Sequence, residues 1–395
     1  MNIEKRFIQV KEFLERHEDM LQTEVLESDI TSLNSYIPWA KELLNLSIDN
    51  QINCEFELET SYLKDTEFIN FISSIKDLKQ IPKAQLSQQE IPAYLTRKLS
   101  QKKTHELKQI KYLVDNLNFN QIIDIGGGAG HLASYLICDN EKKAISFDLE
   151  EKYQIIGKEK LKRYAPEILK RLDFKTQKID ENTKLPQIQK SLTIGLHACG
   201  DLSSILLKNS IDKEREILSL GCCYHKCTKQ YLNLSQIAQS KPLHLSFHSL
   251  TMAAKTFKTL DREQFERRQK VKDFRYAIHL FATRELGLDF QTLGNAKPHD
   301  YQGRFSKYAH KYLPVTQKYS EDILNNKFKE YQEEVRLIQA LGSIRSMLSR
   351  LVELYIILDR ALFLQEREKR VEVLELFETT ISPRNLAIIS SGLKK

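Results

Sequence analysis

The chain has 395 residues, 41% of them hydrophobic and 29% charged, with only 13 glycines and 9 prolines. That composition excludes a disordered, collagenous or low-complexity protein and leaves room for two or three helix-rich domains. The net charge of +7 is uneven: residues 1–100 hold 11 Lys/Arg against 17 Asp/Glu, whereas residues 251–350 hold 19 against 12. An acidic front and a basic later segment fit either an anionic partner for the latter or a solvated helical surface.

The N-terminus, Met-Asn-Ile-Glu-Lys-Arg, lacks the apolar core of a secretory signal, and no apolar run is long enough for a membrane span. A cytoplasmic protein is expected. Residues 1–95 read as helices with polar breaks. Phe7, Val10, Phe13 and Leu14 recur at helical spacing, and Trp39 follows Pro38 at the start of a second helix. This region reads as a scaffold or a substrate-docking module.

From about residue 96 the pattern alternates. A helix over 104–117 precedes a strand at 121–125, a glycine cluster and a helix over 131–138. A strand at 144–148, a helix over 153–172 and a strand at 174–179 follow. Next come a strand at 192–197, a helix over 202–209 and a strand at 217–222. Such alternation gives a parallel sheet covered on both faces. Residues 263–286 and 320–368 are long helical segments, and strands are expected again at 371–377 and 386–390. The expected organisation is a helical N-terminal region (1–95), a sheet core (96–254), a helical insertion (255–368) and C-terminal strands that complete the sheet (369–395).

Asp124-Ile125-Gly126-Gly127-Gly128-Ala129-Gly130 follows a strand and opens a helix. Glycines there permit positive φ and let a ligand approach the backbone, and the helix N-terminus offers unpaired N–H groups. A dinucleotide fingerprint would need a third glycine where His131 stands. The remaining pattern, Asp-x-Gly-x-Gly-x-Gly, resembles the first motif of class I methyltransferases, whose loop wraps the methionine part of S-adenosylmethionine. Asp148 closes the next strand, 24 residues after Asp124. A carboxylate there can accept both hydrogen bonds of a ribose diol. Asp180, after the third strand, is a candidate for the adenine edge or a surface turn. Lys102 and His105, just before the first strand, are candidates for the cofactor carboxylate or the acceptor, or simply a charged helix start.

Two His/Cys clusters follow the fourth and fifth strands, His197-Ala198-Cys199-Gly200-Asp201 and Cys222-Cys223-Tyr224-His225-Lys226-Cys227. Ligands bind beyond the carboxyl ends of strands in open parallel sheets, so both clusters are expected to line one pocket. His197, Asp201, Tyr224 and His225 are candidates for acid–base work or acceptor positioning. Cys199, Cys223, His225 and Cys227 have ligand types that suit zinc, but the usual paired spacings are incomplete, so no metal is assigned. Small buried cysteines packing behind the pocket are the alternative.

The run Lys102-Lys103-x-His105-Glu106, the glycine loop with His131-Leu132, Leu196-His197-x-Cys199-Gly200-Asp201-Leu202 and Gly221-Cys222-Cys223-Tyr224 together resemble the methyltransferase-like 25 family. Leu358-Asp359-Arg360-x-Leu362 and Ser382-Pro383-Arg384-Asn385-Leu386-Ala387 are similar to that family's ending. The resemblance implies an α/β, Rossmann-like class I fold with a mostly parallel seven-stranded sheet. It also implies S-adenosylmethionine as cofactor, held by Lys102, His105, Asp124, Gly126, Gly128, Gly130, His131, Asp148, Asp180 and His197. The segment 222–227 is also similar to the Cys-Cys-His-His-x-Cys segment of tRNA 2′-O-methyltransferases of the Trm-thirteen type, with Tyr224 in place of one histidine. The Asn/Asp-Pro-Pro-Tyr/Phe motif of base N-methyltransferases is absent after strand four, which argues against adenine N6 chemistry. The expected acceptor is RNA, possibly tRNA, with Lys255, Lys258, Arg267, Arg268, Lys270 and Arg275 on phosphates. No DNA or membrane partner is expected. A protein or small-molecule methyltransferase and a catalytically silent scaffold are the alternatives.

Overall fold

The computed structural model of the protein describes residues 1–27, 30–87, 89–97, 99–212, 215–227, 231–254, 259–290, 293 and 296–393. Seven strands form one sheet: β1 (Gln121–Ile125), β2 (Lys143–Asp148), β3 (Leu172–Thr176), β4 (Ser191–Cys199), β5 (Arg215–Cys222), β6 (Lys369–Glu375) and β7 (Leu386–Leu393). Their order is β3-β2-β1-β4-β5-β7-β6. The first five strands pair in parallel, and β7 runs antiparallel to both β5 and β6. This is the Rossmann-like class I methyltransferase arrangement that the sequence led us to expect. The order reverses at β1 and β4, and at such a switch point the carboxyl ends of the strands leave a crevice.

The central strands are near-continuous apolar runs because helices cover both faces. Ile122, Ile123 and Ile125 of β1 are wholly buried, as are Leu192 and Ile194 of β4. The edge strand β3 alternates instead, with Leu172 and Phe174 turned inward. It begins two residues earlier than expected. The reason is Pro166, which cannot extend the preceding helix. That helix, Glu151–Tyr164, stops short, and a single turn at Pro166–Leu169 leads into β3. The long helical segment expected at 320–368 is three helices, Glu321–Glu330, Gln332–Met347 and Ser349–Gln365.

The chain divides into two compact units. The first comprises Met1–Arg16, Leu78–Lys258 and Ser349–Lys395 and contains the whole sheet. Its Ser349–Gln365 helix is buried along almost its full length. A helix apolar all round must be covered on every side. Part of that cover is the first helix, Ile3–Arg16, where Phe7 stacks on Tyr355 at 5.2 Å between ring centroids. The second unit comprises His17–Asp77 and Thr259–Leu348 and is helical. Trp39 stacks on Phe68 in its core at 5.1 Å, and the buried Arg345 donates to the carbonyls of Met20 and Leu21.

The boundaries expected at 95, 254 and 368 are therefore redrawn. Residues 1–16 and 349–368 belong with the sheet, and the helical unit is assembled from two stretches far apart in sequence. Among the described residues no helix is long and apolar enough to cross a membrane.

Candidate functional site

The loop after β1 is tied to the strand beside it. Gly126 and Gly127 donate to the carbonyl of Phe147 at 2.9 and 3.1 Å, and Gly128 donates to Asp148 Oδ2 at 2.8 Å. Two adjacent glycines are needed for different reasons. Gly127 has ordinary backbone angles, but a Cβ on it would lie 2.2 Å from Ser146 Oγ and 2.5 Å from Asp124 Oδ2. Gly128 has φ +57°, where a side chain is strained, yet nothing nearer than Asp148 at 4.0 Å would touch its Cβ. The loop is thus packed tightly below and open above.

Asp148 uses both oxygens in the loop. Oδ2 takes the Gly128 N–H, and Oδ1 takes the Glu150 N–H at 2.9 Å. A carboxylate has about four acceptor positions, so two remain for a ligand diol. Asp124 lies beneath the loop with its carboxyl buried. Burial pushes that carboxyl up to about 7, while Lys103 and the Ala133 N–H pull the other way. Ala133 lies in the first turn of the His131–Leu136 helix, so Asp124 stands in for the cap that Gly130 cannot supply. Asp124 Oδ2, Ser146 Oγ and Gln154 Oε1 are buried with no hydrogen-bond partner among the described residues. His131 is held neutral, its pKa lowered to about 4 by burial and by Lys160 and Lys103.

A second group stands at the end of β4. His197 has φ +63°, an uncommon conformation for a residue with a side chain. It is the extra residue of a bulge, since the β4–β5 register slips between Leu196 and Ala198. Its Nε2 lies 2.9 Å from Oε1 of Glu106, and the same oxygen accepts from Ser382 Oγ at 2.8 Å. Glu106 is 1% exposed. Burial raises its pKa, but the hydrogen bonds to His197 and Ser382 and the charge of Lys103 outweigh that and hold it below the usual range.

The other expected residues fall elsewhere. Lys102 is half-exposed and reaches Glu106 at 3.6 Å. His105 accepts the Glu378 N–H at 3.3 Å and meets the Phe377 ring edge-on. Asp180 closes its own turn with Asn182 and Thr183, as a surface turn does. Asp201 precedes the Leu202–Asn209 helix without capping it, and its carboxylate faces the Cys227 thiol. Tyr224 is wholly buried, donates to the Gly221 carbonyl and has the Arg360 guanidinium 5.0 Å over its ring. Closed off in this way, it cannot meet an acceptor, and its expected catalytic role is withdrawn. His225 is half-buried against Phe247, with Nδ1 unpartnered among the described residues.

Of the four residues weighed for zinc, Cys227 Sγ donates to the Tyr224 carbonyl instead. The sulfurs that converge are those of Cys199, Cys222 and Cys223. Hydrogen bonds from Cys222 and Cys223 draw the Cys199 thiol down, and the same contact drives Cys222 up.

Sequence reasoning quoted Glu106, Lys103 and Gly127 within its motifs but gave them no role in the site, and it did not name Leu149. The first two lie on the Gln101–Val114 helix, on the face carrying Leu107, Ile110 and Val114, a periodicity that could have found them. Leu149, 62% exposed directly after Asp148, is an apolar residue left at the mouth of the loop.

Residues 97–230 match the family model described as a methyltransferase domain. Over 231 residues the chain is 24% identical to "Probable methyltransferase-like protein 25" of Homo sapiens, and over 237 residues 22% identical to the Mus musculus protein of that name. Each match takes in 53% of this chain and 38% of the relative, so the chain spans well under half of the relatives' length. The S-adenosylhomocysteine-bound methyltransferase PaMTH1 of Podospora anserina gives a TM-score of 0.34 at 12% identity, covering 84% of this chain and 98% of that one. The family resemblance drawn from the motifs is recovered by the domain match and the two curated relatives.

Proposed function

We propose that this chain, with its methyltransferase domain at residues 97–230 and its likeness to the methyltransferase-like 25 proteins, moves a methyl group from S-adenosylmethionine to RNA. One observation carries the cofactor reading. The open glycine loop after β1 donates its Gly128 N–H to the acid that closes β2, at the sheet's switch point. The cofactor, when bound, supplies an electrophilic methyl on a sulfonium. Asp148 holds the ribose hydroxyls, residues 126–130 take the methionine part, and Leu149 offers the adenine an apolar surface.

His197 accepts the proton of the attacking group. Glu106 takes the Nε2–H, which leaves Nδ1 as the basic nitrogen. Glu106 touches no substrate in this scheme. It fixes the tautomer and favours the charged ring that forms on proton transfer.

The RNA reading is supported by the basic balance of residues 251–350 and by Arg267, Lys270 and Arg275, exposed on the Arg262–Leu286 helix. Arg268 leaves the phosphate set, because it is held bidentately by the buried Glu55 at 2.8 and 2.7 Å. Lys255 and Lys258 lie outside the described residues. The test is transfer of a radiolabelled methyl group from S-adenosylmethionine to total RNA, tRNA and protein from cells lacking the gene. Label is expected in RNA, weakened by added salt and lost in His197→Ala. Label confined to protein would overturn the RNA acceptor, and label in no pool would overturn methyl transfer.

A further inference from the structure

Cys199 closes β4, and Cys222 and Cys223 follow one another at the end of β5. Their three Sγ atoms all lie within 4.8 Å of one another, with Cys199 and Cys222 at 3.1 Å. All three cysteines are free thiols. We propose that these three sulfurs bind one zinc ion, with the fourth position left to solvent or an exogenous ligand.

Two departures from regular backbone create the convergence. Without the bulge, Cys222 would pair with Ala198. The extra residue His197 shifts the register, so Cys199 stands directly beside Cys222 on the same face. Successive strand residues then point to opposite faces, which would turn Cys223 away. Cys223 instead has φ +47°, and its sulfur returns to the group. Both of these residues carry side chains in the left-handed region, a conformation that favours glycine. Packing of small cysteines does not require either departure.

The spacing suits the ion. Zinc sits about 2.3 Å from thiolate sulfur, which in a tetrahedron separates the sulfurs by roughly 3.8 Å. Cys199 and Cys222 stand somewhat closer than that, at 3.1 Å, and all three sulfurs lie within 4.8 Å of one another, so small side-chain rotations suffice. Soft thiolates select zinc over magnesium or calcium. Three thiolates around a divalent ion leave one negative charge, and the ammonium of Lys226 near Cys199 offsets it. Cys222 is buried while Cys199 and Cys223 are half-buried, so the fourth position is within reach of solvent. Three protein ligands with one exchangeable position is the pattern of zinc that meets a substrate.

This inference stands apart from methyl transfer, and its readout is the metal itself. The full chain, purified under reducing conditions without chelator, is expected to carry about one zinc per molecule by elemental analysis. After stripping, addition of Co²⁺ alone should give intense visible bands of tetrahedral cobalt and a near-ultraviolet sulfur-to-cobalt band. X-ray absorption should show three sulfurs at about 2.3 Å from zinc. Cys222→Ser with Cys223→Ser should abolish all three signals, whereas Cys54→Ser and Cys138→Ser keep them. A chain that is metal-free as purified and silent toward Co²⁺ would overturn the site without any variant. So would a cobalt spectrum that survives in the double variant.

Discussion

Asp124 shows how one residue can be required by a site and resisted by the fold. Its carboxyl is buried under the glycine loop, and its pKa is raised from 3.8 to about 7. A carboxyl raised in the folded state gives stability that is complete below the unfolded value and lost as pH climbs through the folded one. For Asp124 the full size is about 4 kcal/mol, lost between roughly pH 4 and pH 7. Asp124→Asn keeps an oxygen for the Ala133 N–H but carries no charge. The ligand-free variant should therefore gain on the wild type as pH rises across that window, measured by urea unfolding at several pH values. A constant gap between the two curves would show that the group is not desolvated as described. The same substitution should weaken cofactor binding, since the acid and the loop form one unit.

Among the elements, the end of β4 and the Gln101–Val114 helix act together. The helix presents Glu106 from a buried face, and the bulge turns His197 toward it. His197→Ala should lower turnover by about 10²–10⁴, the usual worth of a general base. Glu106→Gln keeps the shape but loses the charge, and its amide can hold the ring in the wrong tautomer, so it should lower turnover by up to about 10⁴, with KM for the cofactor little changed. The backbone supplies a separate check. At φ +63°, glycine is unstrained and alanine is not, so His197→Gly should be about 1 kcal/mol more stable than His197→Ala in chemical denaturation, with both inactive. Equal stability of the two variants would remove the claim that the site is held in strain.

Over the whole sheet unit, the buried Ser349–Gln365 helix ties distant stretches of sequence together. Asp359 is wholly buried and accepts from Leu234 N–H, Ser235 N–H and Ser235 Oγ at 2.7–3.1 Å. Tyr355 of the same helix stacks on Phe7. The segment after β5 is thus positioned by a helix more than a hundred residues later. Asp359→Ala would strand four buried donors, the Tyr231 hydroxyl at 3.4 Å among them, and should cost roughly 3 kcal/mol or more in thermal or urea unfolding. A loss under 1 kcal/mol, about the level of a surface change, would mean that the segment is held by other contacts.

Local pattern was enough to fix the strands, the glycine loop and the acid of β2, because periodicity, positive φ and strand ends are properties of neighbouring residues. The third strand was placed late at both ends: it starts two residues earlier, where Pro166 ended a helix early, and stops at Thr176 rather than at 179. Long-range pairing was not readable in that way. The partner of His197 lies 91 positions away, the cover of the Ser349–Gln365 helix comes from the N-terminus, and the helical unit joins residues 17–77 to 259–348. The fate of the cysteines and of Tyr224 also depended on tertiary structure, since a single bulged residue in β4 decides which side chains share a face. Sequence spacing counts residues along the chain, whereas a site is set by register between strands, and one residue of slip reverses every neighbour.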